Sequence, residues 1–198
     1  MNPANPKTPP RLSSRALSAI AAFLVLAIAG LWIVMTPSRS GTALIGGPFQ
    51  LETADGKTIT DADMKGRPFL VYFGYTHCPD VCPTTLAQIS DVLQRMPDKP
   101  IRVLFVTVDP ERDTPALMAD YVSSFDRRIL GLSGTSQQIA DVEKAYRVYA
   151  RKAPTKDGDY SMDHSSIVYL MDKSGGFVEA FNLDRTPEAS AKELASYL

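Results

Sequence analysis

The chain has 198 residues, 44% hydrophobic and 22% charged, which is enough for one globular domain with a full core plus extra segments. Its formal net charge of −1 gives no basis for nucleic-acid binding. It contains only two cysteines, Cys78 and Cys82, and two histidines, His77 and His164.

The first forty residues differ from the rest. Lys7, Arg11 and Arg15 precede an uncharged apolar run from Ala16 to Met35, and no acidic residue occurs before Glu52. A helix of about 20 apolar residues spans a bilayer and satisfies its own backbone there. Residues 16–35 therefore read as a single transmembrane anchor. The basic flank keeps residues 1–15 cytoplasmic and sends the remainder across. Trp32 suits the far interface. The competing reading is a cleaved signal peptide, with Ala27 to Ala29 as the small-residue site, but the apolar run continues beyond it. The absence of an amphipathic transit peptide points to a bacterial inner membrane, with the C-terminal domain in the periplasm. Beyond Arg15, 18 basic residues face 22 acidic ones, so the exported part carries about −4. That balance gives no reason to expect strong binding to anionic lipid or phosphate, and it is compatible with meeting a cation. An oxidising compartment permits a disulfide.

Residues 36–47 are small, with Gly and Pro, and read as a linker to a domain over 48–198. "FQLETADGKTIT" predicts a hairpin around Ala54-Asp55-Gly56. "RPFLVYFGY" predicts a buried strand ending near Tyr75. Leu86, Ile89, Leu93 and Met96 recur at helical spacing after Pro83. "IRVLFVTVD" is a second buried strand. A helix over Thr114 to Phe125 has Thr114 and Pro115 at its start. "RILGLSG" gives a short strand, and Thr135 to Tyr149 a helix with Tyr146 and Tyr149 on its apolar face. After a polar loop, "SSIVYLMDKSGGFVEAFNL" reads as strand, Gly-rich turn and strand. A last helix starts near Thr186-Pro187. This order predicts an α/β fold with a partly parallel sheet, helices on both faces and an antiparallel hairpin at one edge. Function in such sheets gathers beyond the C-terminal ends of the parallel strands, where Cys78 falls.

Cys78 and Cys82 lie in "GYTHCPDVCPTT". Four chemistries are open to such a pair: a structural disulfide, a redox dithiol, a peroxidatic thiol or a metal site. Because each cysteine is followed by proline, the spacing predicts an irregular turn over 78–82 with regular helix from Pro83. The thiols then sit at the positive end of a helix dipole, which favours the thiolate. A disulfide here would close a very short loop and stabilise little. His164, just before a predicted core strand, enters on the thiol side if that strand runs beside the Cys-bearing one. Two thiolates and an imidazole suit Cu(I), and the imidazole suits Cu(II) as well. A structural zinc site normally closes with four ligands, whereas three leave a position for handing the ion on.

Five separated segments, "GYTHCPDVCPTTL", "VTVDPERDTP", "GLSGT", "KAYRVY" and "DHSSIVYL", resemble in order and spacing the Sco/SenC family of membrane-anchored copper chaperones for cytochrome c oxidase assembly. The resemblance runs from about Pro48 to the C-terminus. It implies a thioredoxin-like fold with an extra N-terminal β-hairpin. It implies copper held by Cys78, Cys82 and His164. Adjacent thiols also reach disulfide bonding geometry, and oxidation to a reversible Cys78–Cys82 disulfide would remove two ligands and switch copper affinity. The resemblance further implies a copper donor protein, and delivery to the binuclear copper centre of oxidase subunit II. A thiol–disulfide oxidoreductase that reduces that subunit's copper-ligand cysteines is the alternative, although Cys-x-x-x-Cys is one residue longer than the usual redox motif. A peroxidase is disfavoured. Pro79 stands where that family's supporting threonine belongs, and Tyr75 stands where its upstream proline belongs.

Other polar residues invite weaker readings. His77 points away from its neighbour by strand-end alternation. Met162 is a soft atom that more commonly packs in a core. Asp80 and Asp163 could orient a ligand or attract an ion, or could be solvated. "DPERD", Asp109 to Asp113, reads as a charge-paired turn, with a part in the site open for Asp109.

Overall fold

The computed structural model describes residues 45–198 and, before them, Ala27 alone. The run 16–35 expected to span a membrane and the linker up to residue 44 otherwise lie outside the described residues. Among the described residues no helix is long and apolar enough to cross a membrane.

Two short strands, β1 (Gln50–Glu52) and β2 (Thr58–Thr60), pair antiparallel around a loop with Gly56 at φ 75°. One short helix, α1 (Asp61–Met64), follows, capped by Thr60. Strand β3 (Phe69–Gly74) is buried along its whole length. It pairs in parallel with β4 (Arg102–Thr107), which pairs in parallel with β5 (Ile129–Leu132). The edge is antiparallel: β8 (Val168–Met171) lies beside β3, and β9 (Phe177–Ala180) beside β8. The sheet order is β5-β4-β3-β8-β9. A run buried on both faces has no reason to alternate, which is why β3 and β4 read as continuous apolar stretches.

Four longer helices complete the domain: α2 (Val81–Gln94), α3 (Pro115–Val122), α4 (Ser136–Tyr146) and α5 (Pro187–Ala195). Thr114, Thr135 and Thr186 cap three of them, each accepting a backbone N–H from the first turn. Helix α2 buries Cys82, Leu86, Ile89, Val92 and Leu93, one stripe at helical spacing.

Four expectations need correction. Helix α2 begins two residues before Pro83. Asp80 is its N-cap, so Pro83 is the third helical residue, where the missing N–H has no partner to lose. Helix α3 stops at Val122 and α4 at Tyr146, both short of the predicted ends. In α4, Arg147 turns left-handed at φ 55° and closes the helix. Tyr146 is therefore core, but Tyr149, beyond the break, is 55% exposed. Finally, the polar loop before His164 contains an antiparallel pair, β6 (Ala150–Pro154) and β7 (Tyr160–His164).

Candidate metal centre

Cys78 and Cys82 follow the C-terminal end of β3, and His164 is the last residue of β7. Because β8 runs antiparallel to β3, with Tyr72 opposite Val168, the chain ahead of β8 arrives at the end of β3 where the thiols begin. One ligand atom from each of Cys78, Cys82 and His164 lies within 4.8 Å of the others. Cys82 Sγ is 3.7 Å from His164 Nε2. The backbone N–H of Cys82 points at Cys78 Sγ, 3.4 Å away, and both cysteines are free thiols.

Burial divides the pair. Cys82 is fully buried and Cys78 is half-buried. Burial pushes the Cys82 thiol up to about 12. This overturns the sequence argument for Cys82: removal from water outweighs the helix dipole at this position. Around its sulfur stand aromatic rings, with Tyr72 and Tyr121 each stacked on Phe105. Desolvation also lowers His164 from the ordinary 6.5. Its Nδ1 lies 3.1 Å from the carbonyl of Ser165. A neutral ring donating from Nδ1 leaves the lone pair on Nε2, aimed at Cys82. The ring of Tyr75 meets the imidazole edge-on at 5.8 Å.

Soft sulfur and a neutral nitrogen, three donors brought together among the described residues, fit a copper ion. His77 is not part of this group. Its Nδ1 faces Thr76 Oγ1 at 3.1 Å and lies 4.0 Å from Asp113, and its side chain is half exposed. Met162 packs against the core. Asp80 serves as an exposed N-cap position, and Asp163 faces Arg151 at 3.6 Å.

Three supports of the site were missed or left undecided by the sequence. Asp113 is fully buried and takes three hydrogen bonds, from the Thr76 N–H at 3.1 Å, the Thr76 hydroxyl at 2.6 Å and the Thr107 hydroxyl at 2.7 Å. It thereby fixes the loop leading to Cys78. Asp109, 1% exposed, pairs with Arg112 and accepts from the Tyr160 hydroxyl at 2.9 Å. Arg112 in turn donates to the Tyr160 carbonyl at 3.0 Å and lies over that ring at 3.8 Å. Asp109 thus clasps the strand that carries His164 and does not join the donor group. The charge pairing within "DPERD" was legible; its partner in β7 was not, because β7 itself was read as loop. The third support is Gly74, which lets β3 pass close to Cys82.

A family model described as SCO1/SenC matches residues 37–198. The chain belongs to the SCO1/SenC family. Among solved structures, Bradyrhizobium japonicum ScoI with copper bound is 58% identical, with a TM-score of 0.75, over 78% of this chain and 99% of that one. Yeast Sco1 with copper bound is 36% identical, with a TM-score of 0.71, over 77% of this chain and 87% of that one. The human mitochondrial SCO1 homolog is 39% identical over 165 residues, 80% of this chain and 54% of that protein. The chain spans about half the length of the curated relatives it matches. The α/β fold with its mixed sheet is that of the thioredoxin-like Sco structures.

Proposed function

We propose that this SCO1/SenC protein is a metallochaperone, anchored in a bacterial inner membrane by residues 16–35, with its domain in the periplasm. It takes copper from a donor protein and delivers it to the binuclear centre of cytochrome c oxidase subunit II. The carrying observation is the convergence of Cys78, Cys82 and His164 within 4.8 Å. The relatives with copper bound support the choice of cargo.

The burial difference suggests an order of events. Incoming copper meets the half-buried Cys78 sulfur first and displaces its thiol proton, then displaces the Cys82 thiol proton, while His164 Nε2 closes the set without losing a proton. In release, a partner thiol gives up its proton and binds the ion, and the Cys78 thiolate departs and takes a proton. Cys82, shielded by its aromatic wall, is the last sulfur exchanged. Equilibrium titration with a chromophoric competitor tests the reading. Copper affinity unchanged in Cys78→Ala, Cys82→Ala and His164→Ala together would defeat it.

The adjacency of two free thiols supports a second reading, reduction of subunit II cysteines. Cys78 thiolate would attack the partner disulfide and release one partner thiol. Cys82 would then resolve the mixed disulfide, leaving Cys78–Cys82 oxidised and the partner reduced by two electrons. The discriminator is His164→Ala: a reductase keeps its activity toward an oxidised subunit II peptide, whereas a copper carrier loses delivery.

A further inference from the structure

At the end of the sheet away from the thiols is a cleft of about 890 Å³. It opens at the starts of β4 and β5, where Arg102 and Ile129 stand, whereas Cys78 and Cys82 follow the end of the parallel strand β3. Six cationic side chains line it: Lys57, Arg67, Lys99, Arg102, Arg127 and Arg128. Only two lining residues, Asp55 and Asp98, are acidic. Arg128 is engaged, paired with Asp126 at 2.7 Å and donating to the Met96 carbonyl at 2.6 Å. The other five make no ion pair among the described residues. The floor is apolar, formed in part by the buried Ile59, Ile101 and Ile129.

This concentration stands against the charge of the rest. Residues 45–198 carry 17 basic and 22 acidic residues, so an acidic domain places six of its cations around one concavity. Asp55, Asp63 and Asp126 act on Lys57, Arg102 and Arg127 without pairing with them, and gathering like charges with so few counter-ions is unfavourable by itself. It is understandable where an anion completes the site, and guanidinium groups suit phosphate oxygens in particular. The net charge of the exported part, which argues against anion binding, averages this asymmetry away.

We propose that the cleft binds a phosphate group. The same end of the domain receives the chain from its N-terminal side. Gly46 donates to the Ala145 carbonyl, and a Cβ on it would approach Met171, whose strand partner is Phe69 at the start of β3. A phospholipid headgroup is therefore one source of the phosphate, and that arm rests on the membrane anchor proposed above. A free phosphate anion is the other source and needs no anchor.

Full-length protein in an uncharged maltoside detergent tests both sources by calorimetric titration. One arm uses inorganic pyrophosphate, and the other uses mixed micelles containing phosphatidylglycerol, with phosphatidylcholine as reference. Saturable binding in either arm is expected, weakened about tenfold or more by Arg102→Glu or Lys99→Glu. It should be retained by Lys156→Glu, which lies in the loop between β6 and β7. Binding of phosphatidylglycerol alone assigns the site to lipid, and binding of pyrophosphate assigns it to a free anion. No saturable binding in either arm, or equal binding by the cleft variants, overturns the proposal. Copper titration of the same samples reports their folding, and it keeps a failure of this site distinct from a failure of the copper reading.

Discussion

Cys82 Sγ and His164 Nε2 lie 3.7 Å apart although 82 positions separate them in the chain. The pairing of β8 with β3 brings them together, and their shared desolvation makes both neutral when no metal is bound. A neutral thiol against a neutral imidazole is a resting pair that copper can enter by displacing the thiol proton.

The first prediction concerns ligand number. Loss of groups that merely orient a ligand typically costs 10–100-fold in metal affinity, so loss of a sulfur ligand should cost more than about 100-fold. Cys78→Ala and Cys82→Ala should each abolish tight copper binding, while His164→Ala weakens chiefly Cu(II), the form that prefers imidazole. Competition titrations of each oxidation state, with the metal-free variants checked for folding, measure this. Equal losses of Cu(I) and Cu(II) in His164→Ala would remove the distinction.

The second prediction follows from the thiol proton. Cys82 is held protonated up to about 12, so copper must release that proton at any ordinary pH. Apparent affinity should therefore rise by at least about tenfold per pH unit between pH 6 and 8. A flat profile would show that Cys82 does not bind as thiolate.

The metal-free domain should show the opposite side of the same linkage. His164 titrates below its ordinary 6.5 when folded, so the unfolded chain binds the extra proton first and stability falls as pH drops below 6.5. Cys82 titrates above its ordinary 9.0, so stability falls again as pH rises from 9.0 toward 12. The half-buried Glu143, pushed up to about 7 by desolvation, acts in the opposite sense to His164 on the acid side. Tyr72 and Tyr121, both raised by burial, add to the loss above pH 10, so each contribution is read as the difference between parent and variant thermal midpoints. Replacing Cys82 with Val should lessen the loss between pH 9 and 10, below the range of these two tyrosines, while leaving the acid side in place.

A fourth prediction concerns the clasp on β7. Arg112→Ala leaves the buried Asp109 without its charge partner, and breaking such a pair costs about 3–5 kcal/mol. Because Arg112 also holds the Tyr160 carbonyl in the strand that ends at His164, the variant should lose Cu(II) affinity more than Cu(I) affinity. Denaturant unfolding and the two titrations check both parts. A destabilised variant with an unchanged Cu(II)/Cu(I) ratio would make the clasp purely structural.

The sequence made the sheet and the donor residues legible for a simple reason. Strands buried on both faces write themselves as apolar runs, and Cys78, Cys82 and His164 are rare residue types next to such runs. The β6–β7 pair was hidden because "ARKAP" ends in Pro154 and carries Arg151 and Lys152, features of an edge strand with little to bury. "TKDG", with Gly158 at φ 84°, was the turn signal that could have revealed it. The ionisation of Cys82 could not be read either, because the helix start is local whereas the aromatic wall comes from β3, β4 and α3. Net charge likewise hid the cationic cleft, whose members are spread from Lys57 to Arg128.

The last prediction concerns Gly74, whose requirement is steric. A Cβ built there would lie 2.8 Å from Cys82 Sγ and 2.7 Å from a ring carbon of Phe105. Neither neighbour can retreat freely: Phe105 is stacked between Tyr72 and Tyr121, and Cys82 is held in the first turn of α2. Gly74→Ala should therefore overpack the core, at about 1–3 kcal/mol, and displace the buried sulfur from the imidazole. Copper affinity should fall in a variant that still unfolds cooperatively, with all three donor residues intact. If Gly74→Ala instead binds both oxidation states like the parent protein, the position of the Cys82 sulfur beside β3 does not set the affinity of the site.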